Sequence, residues 1–366
     1  DFINTLDEIP ENYLPVWKGE LYFELHRGTY TTQALMKKNN RKLEQKLQQI
    51  EFLSAIFNKN KKDTLDLVWK DTLLNQFHDI IPGSSIGWVY KDAKALSEKN
   101  LTVLDNCLNE VMNELSAEKS STYMIANSQP WRRREIIEIK SEYPVKVIAE
   151  GNKELPSCFN EDKVQFMIDL PSMGYRIIKL QKDDKAHNCN TQNGSDNTFE
   201  NNYLKIELDN DGSVKRIFDK EIQRECLSGK ANLLLLWEDL PNNWPAWDVN
   251  HFYRETKPQQ AELIERCVIE DTPFVKTIKQ VFKVGNSLLI QKISLKNQSK
   301  LLVFENEIDW KEKHQMLRVS AETAINSNYS QSEVQFGLIE RPTHQNTSWD
   351  AAKFEIAAQR YVDLSD

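Results

Sequence analysis

The segment Asn75-Gln76-Phe77-His78-Asp79-Ile80-Ile81-Pro82-Gly83-Ser84-Ser85 is the strongest local candidate for chemistry. It sets an imidazole beside a carboxylate at the end of a helical pattern that Pro82-Gly83 must break. A junction between elements is where pockets form. A neutral imidazole is a common zinc ligand, at about 2.0–2.1 Å. A histidine in the last turn of a helix also complements the macrodipole with no ligand at all. Spacing alone leaves both readings open: a metal needs three or four donors, and the chain has no HxxxH or HxH pair.

Two other segments carry polar or aromatic clusters. In Leu21-Tyr22-Phe23-Glu24-Leu25-His26-Arg27-Gly28-Thr29-Tyr30-Thr31-Thr32, the residues His26, Arg27 and Tyr30 are of types that line a polar pocket. The alternative is a helix-entry loop capped by Thr31 or Thr32. In Trp237 to Asp248, indoles alternate with carboxylates. Trp247 could stack on the C–H face of a sugar ring while Asp248 accepts from its hydroxyls. Tryptophans packed into a sandwich core are the competing account.

The elements that must position these groups change in kind near residue 120. Before it the period is helical: Leu43, Leu47, Ile50, Ser54 and Phe57 share one face. A second helix is expected to open at Asp63 as N-cap, with Leu65, Trp69, Leu73 and Phe77 inward. A third runs from about Trp88 to Leu115, with Val89, Ala93, Leu96, Leu104, Leu108, Val111 and Leu115 inward. Short connections between the three predict a bundle. From Tyr123 the period becomes two. Leu204, Ile206 and Leu208 alternate with polar residues and lead to an Asp211-Gly212 turn. Phe274 to Val284 is extended and ends in Gly285-Asn286, a hairpin signal, and Phe304, Ile308 and Trp310 share a face of another strand. The polar Lys182–Thr198 stretch reads as a loop or linker.

The fold class expected is therefore multidomain α+β: a three-helix bundle followed by a large antiparallel β-sandwich. The divisions are 31–118 for the bundle, 119–198 for a β subdomain with its linker, and 199–366 for the sandwich, which stops abruptly. Residues 1–30 fit neither part, and their apolar-aromatic run Gly19 to His26 suggests a strand ending an earlier α/β domain.

Bulk properties narrow the function. With 47 basic and 55 acidic residues the formal charge is -8, which argues against a nucleic-acid partner. No apolar run is long enough for a membrane span. Five scattered cysteines (Cys107, Cys158, Cys189, Cys226, Cys267), with no CxxC pair, read as reduced thiols in a cytoplasmic protein. A homo-oligomer is compatible with all of this.

In order along the chain, four stretches resemble glycoside hydrolase family 38, the α-mannosidases. They are Trp17 to Gln33, Gln76 to Ser85, Phe199 to Tyr203 with Asp211 to Lys220, and Gly337 to Trp349. The resemblance covers nearly the whole chain and is closest to the bacterial and cytosolic branch. It implies that His78 is a ligand of a single Zn2+ and that Asp79 contacts sugar hydroxyls. It implies a retaining glycosidase whose zinc binds the 2,3-diol of mannose in a mannose-containing oligosaccharide. It also implies that the nucleophile, the acid/base and the other zinc ligands belong to an N-terminal catalytic domain, so that these residues alone are inactive and no catalytic residue is assigned here. The competing reading is a non-catalytic carbohydrate-binding or scaffolding sandwich with a helical module.

Overall fold

The computed structural model describes residues 5, 8–115, 121–160, 162–183 and 195–366. Three helices form the first module: α1 (Ala34–Ile56), α2 (Lys62–Asn75) and α3 (Gly87–Leu115). Their shared core joins Leu43, Leu47 and Ile50 of α1 to Leu65 and Val68 of α2 and to Leu104 and Cys107 of α3. On α3 the buried stripe also includes Ser97 and Asn100, whose side chains bond to Ala93 O and to the Asp71 carboxylate.

Two helix expectations are corrected. Asp63 is not the N-cap of α2: the cap position is Lys61, without a side-chain cap bond, and Asp63 sits in the first turn, where an acid complements the dipole. The inward stripe of α2 is Leu65, Val68 and Thr72, and Leu73 and Phe77 are exposed. A helix turns every 3.6 residues, so a strict i+4 series drifts by roughly 40° per step and leaves its face within three steps. Alternating steps of three and four keep the stripe on the core.

From Thr122 the chain is mainly β, with a short helix at Ser348–Ala352. Two sheets pack over Val147, Val164, Phe166 and Ile178. One contains Thr122–Asn127 paired antiparallel with Gly174–Lys182, the other Arg133–Lys140 paired with Lys163–Leu170. The larger β part follows. A meander of Glu262–Asp271, Val275–Val284, Ser287–Lys296 and Leu302–Asp309 presents Ile278, Ile293 and Leu295 to the core. Phe199, Leu204, Ile206 and Val214 meet them from the sheet of residues 198–225. The expected turns are present: Asp211 Oδ1 accepts from Ser213 N at 3.0 Å, and Val284 pairs with Ser287 across Gly285-Asn286.

Two further expectations change. Residues 14–27 form no strand; they run as irregular chain from which Glu20, Tyr22 and Arg27 bond to Arg341, Glu355 and Ala352, respectively. Cys107, Cys226 and Cys267 are free thiols, but Cys158 is disulfide-bonded, so the cysteine argument for a cytoplasmic location does not stand. Most of the Lys182–Thr198 loop, with Cys189, lies outside the described residues. Among the described residues no helix is long and apolar enough to cross a membrane.

Candidate functional site

α2 ends at Asn75, so His78 lies in the turn after the helix rather than in its last turn. Its end is held from inside the bundle: Gln76 donates to Asn40 Oδ1 at 2.9 Å and to Glu44 Oε1 at 3.0 Å on α1. Asn75 donates to Ser97 Oγ at 3.2 Å. The chain then winds past the Phe77 carbonyl, which accepts from Ile80 N at 2.8 Å, and reverses at Gly83, whose φ is +95°.

This turn presents His78 outward. Its side chain is 77% exposed, and Nε2 lies 3.5 Å from Asp79 Oδ2. The other Asp79 oxygen accepts from Ser84 Oγ at 3.3 Å. Tyr90 on α3 clamps the turn from behind, donating to Asp79 O at 3.0 Å and accepting from Ser85 N at 2.8 Å. Carboxylate and imidazole therefore point the same way on a braced loop.

The three segments singled out in the sequence converge. Lys37 Nζ, on the first turn of α1, donates to Thr32 O at 2.5 Å, Ile81 O at 2.7 Å and Pro82 O at 3.0 Å, joining the 26–32 loop to the His78 turn. Burial pushes the Lys37 ammonium down to about 8. On the other side of the loop, Gly28 N donates to Trp247 O at 3.0 Å. The His26 ring lies 4.5 Å from the Trp247 ring at 37°, with a left-handed backbone at φ 66°.

Arg27 turns away from this junction into a buried knot. Its side chain is 8% exposed, 3.4 Å from Asp248 Oδ1, which is itself well buried. It also donates to Glu24 O, Tyr22 Oη and Ala352 O, and its guanidinium lies 4.4 Å from the Phe354 ring centre. Tyr30 is about half exposed, and burial of its hydroxyl region raises its pKa above the usual phenol value. So His26, Tyr30, Trp247, His78 and Asp79 reach solvent, whereas Arg27 and Asp248 hold the loop that carries His26 and Tyr30. Lys37 and Tyr90 went unread in the sequence. Lys37 looks like one more charge on a solvated helix face, and only the carbonyls of two distant loops give it a role.

Among the described residues no three His, Cys, Asp or Glu side chains are grouped as a metal site. The donor set here is one imidazole and one adjacent carboxylate. That suits a corner of a coordination shell and falls short of a whole one.

An α-helical module, an antiparallel β-sandwich part and a histidine-bearing turn between α2 and α3 define a multidomain α+β architecture. Residues 24–115 match the alpha mannosidase middle domain, and residues 199–366 match the glycosyl hydrolases family 38 C-terminal domain. The chain belongs to glycosyl hydrolase family 38. It is 30% identical to alpha-mannosidase G of Dictyostelium discoideum over 96% of its own length and 36% of that protein. It is also 30% identical to human alpha-mannosidase 2C1 over 98% of its length and 35% of that protein. It thus spans about a third of the length of these curated relatives. An alpha-mannosidase crystal structure from Enterococcus faecalis superposes with a TM-score of 0.71 over 95% of this chain and 50% of that one, at 16% identity.

Proposed function

We propose that these residues are the middle and C-terminal parts of a zinc-dependent α-mannosidase, acting on mannose-containing oligosaccharides together with an N-terminal catalytic domain. One observation supports the reading most: the His78–Asp79 pair faces outward on a turn braced from both sides, within the segment that matches the mannosidase middle domain. In this reading His78 Nε2 is one zinc donor, and Asp79, oriented by Ser84, accepts from a sugar hydroxyl. When bound, the zinc supplies a Lewis acid for the vicinal diol of mannose. His26, with the Trp247 ring tilted at 37° against it, forms the aromatic edge beside which the sugar lies, Tyr30 is a further substrate contact from the same loop, and Arg27 and Asp248 fix that edge. The nucleophile and acid/base of a retaining mechanism are assigned to no residue of this chain.

His78→Ala in the whole protein tests this. Zinc content measured by mass spectrometry is expected to fall well below one per chain, with loss of hydrolysis of a chromogenic α-mannoside; full retention of metal would exclude His78 as a ligand. The 366-residue polypeptide alone is expected neither to cleave α-mannosides nor to keep zinc through dialysis, because one imidazole and one carboxylate cannot close a four-donor shell. Turnover by that polypeptide would refute the assignment of the catalytic groups elsewhere.

A further inference from the structure

The irregular segment that carries His26 is tied to residues more than 300 positions away. Glu20 meets Arg341 through two bonds, 2.9 Å to Nε and 2.7 Å to Nη2. Arg341 lies on the strand Gly337–Pro342 with its side chain 3% exposed, and it also donates to Ala357 O at 2.9 Å. Two more bonds follow the same seam: Tyr22 Oη donates to Glu355 O at 2.5 Å, and Arg27 donates to Ala352 O at 3.2 Å. The Glu355 carboxylate is itself anchored to the sandwich by Arg318 and Tyr253, each at 2.6 Å.

A buried ion pair is a poor device for stability alone, since apolar residues of similar size often stabilise as well or better. A role that such a pair can serve instead is to fix the relative position of the two segments it joins, since few alignments satisfy both charges. We propose that Glu20 and Arg341 are positioning residues, whose largely buried pair clamps the segment Glu20–Gly28 to the strand Gly337–Pro342 and so sets the His26–Thr32 loop and the His78 turn. The path runs partly through contacts and partly along the chain: Arg341 holds Glu20, Tyr22 two residues on accepts from Arg27, and Arg27 meets Asp248. Gly28 N donates to Trp247 O while Gly28 O accepts from Thr32, and Thr32 O accepts from Lys37. The effect on activity rests on the mannosidase reading; the clamp itself does not.

The test uses Glu20→Gln, which keeps shape and removes charge, and Tyr22→Phe, which keeps both charges and covers the case in which the first variant folds poorly. In the 366-residue chain, amide exchange at residues 22–32 and 80–85 is expected to quicken at least about five-fold in both variants. Acceleration confined to residues next to position 20 would overturn the proposal. In the whole protein, KM for a chromogenic α-mannoside is expected to rise roughly ten-fold, with kcat changed less than about three-fold and zinc content unchanged. Glu20→Asp is expected to recover most of the KM. An unchanged KM in folded Glu20→Gln protein would leave the pair a merely structural contact and refute the positioning role. If the unaltered whole protein does not hydrolyse α-mannosides, the mannosidase reading falls, while the exchange data still decide the clamp.

Discussion

Gly83→Ala puts the junction between the His78 turn and the 26–32 loop under direct strain. Gly83 is buried with φ +95°, a region that costs an L-residue about 1–2 kcal/mol. A Cβ there would lie 2.5 Å from Thr32 O and 2.7 Å from Thr32 C, both backbone atoms that cannot swing aside. Overpacking of this kind adds about 1–3 kcal/mol. The sum is about 2–5 kcal/mol, drawn from a module whose carbonyls at Ile81 and Pro82 also depend on that spacing through Lys37. Thermal unfolding of the 366-residue chain followed by circular dichroism at the helical band should show the helical transition lowered by about 10 °C or more. Thr32→Ser in the same background should not restore it: the Thr32 methyl lies 2.9 Å from the added Cβ, but the two nearer atoms are backbone. Gly83→Ala protein melting within a degree or two of the parent would refute the claim that these loops are in rigid contact, as would full rescue by Thr32→Ser.

Other consequences are simpler to measure. The hydrogen bonds from Arg341 hold the Glu20 carboxyl below its usual range. A depressed carboxyl contributes stability that is whole above the unfolded pKa of about 4.3 and is lost as pH falls through the folded value. Limited proteolysis should therefore cut near residue 20 faster below about pH 4 than at pH 6 in the parent, and Glu20→Gln should flatten that dependence. Trp247→Ala removes the ring against His26 while leaving the Gly28 N to Trp247 O bond in place. It is expected to weaken binding of α-mannosides to the whole protein by roughly three- to thirty-fold, read as KM, with zinc retained. Unchanged KM would remove Trp247 from the proposed edge.

Much of the scaffold was legible because its signals are local. Leu43, Leu47 and Ile50 repeat on a helix face, and all three are fully or almost fully buried. The Gly285-Asn286 turn fell where a two-residue hairpin loop demands it. The α2 stripe was misread because regular i+4 spacing looks like a face but spirals off it. Leu21-Tyr22-Phe23 has the composition of a strand, yet among the described residues no strand pairs with it; the Tyr22 hydroxyl donates instead to the distant backbone carbonyl of Glu355. The meeting of His26 with Trp247, and of Arg27 with Asp248 at a separation of 221, was beyond any spacing argument. Each segment was a candidate alone, and nothing in the sequence said that they share one place.

The packing at Gly28 and Gly83 explains why a turn in the helical module depends on a β-sandwich. A Cβ on Gly28 would lie 3.1 Å from the backbone of Asp248 and Trp247, just as one on Gly83 would meet Thr32. The 28–32 loop is therefore gripped on one side by the backbone of the sandwich and on the other by the backbone of the His78 turn. Backbone-to-backbone contact transmits position with little give, because no rotamer change can absorb a shift. A displacement of the Trp247–Asp248 segment must pass through the loop to Lys37 and the carbonyls of Ile81 and Pro82, three to four residues from His78. The imidazole is exposed and has few contacts of its own, so its placement is inherited from that stack. The β-sandwich, in this geometry, is part of what aims the histidine.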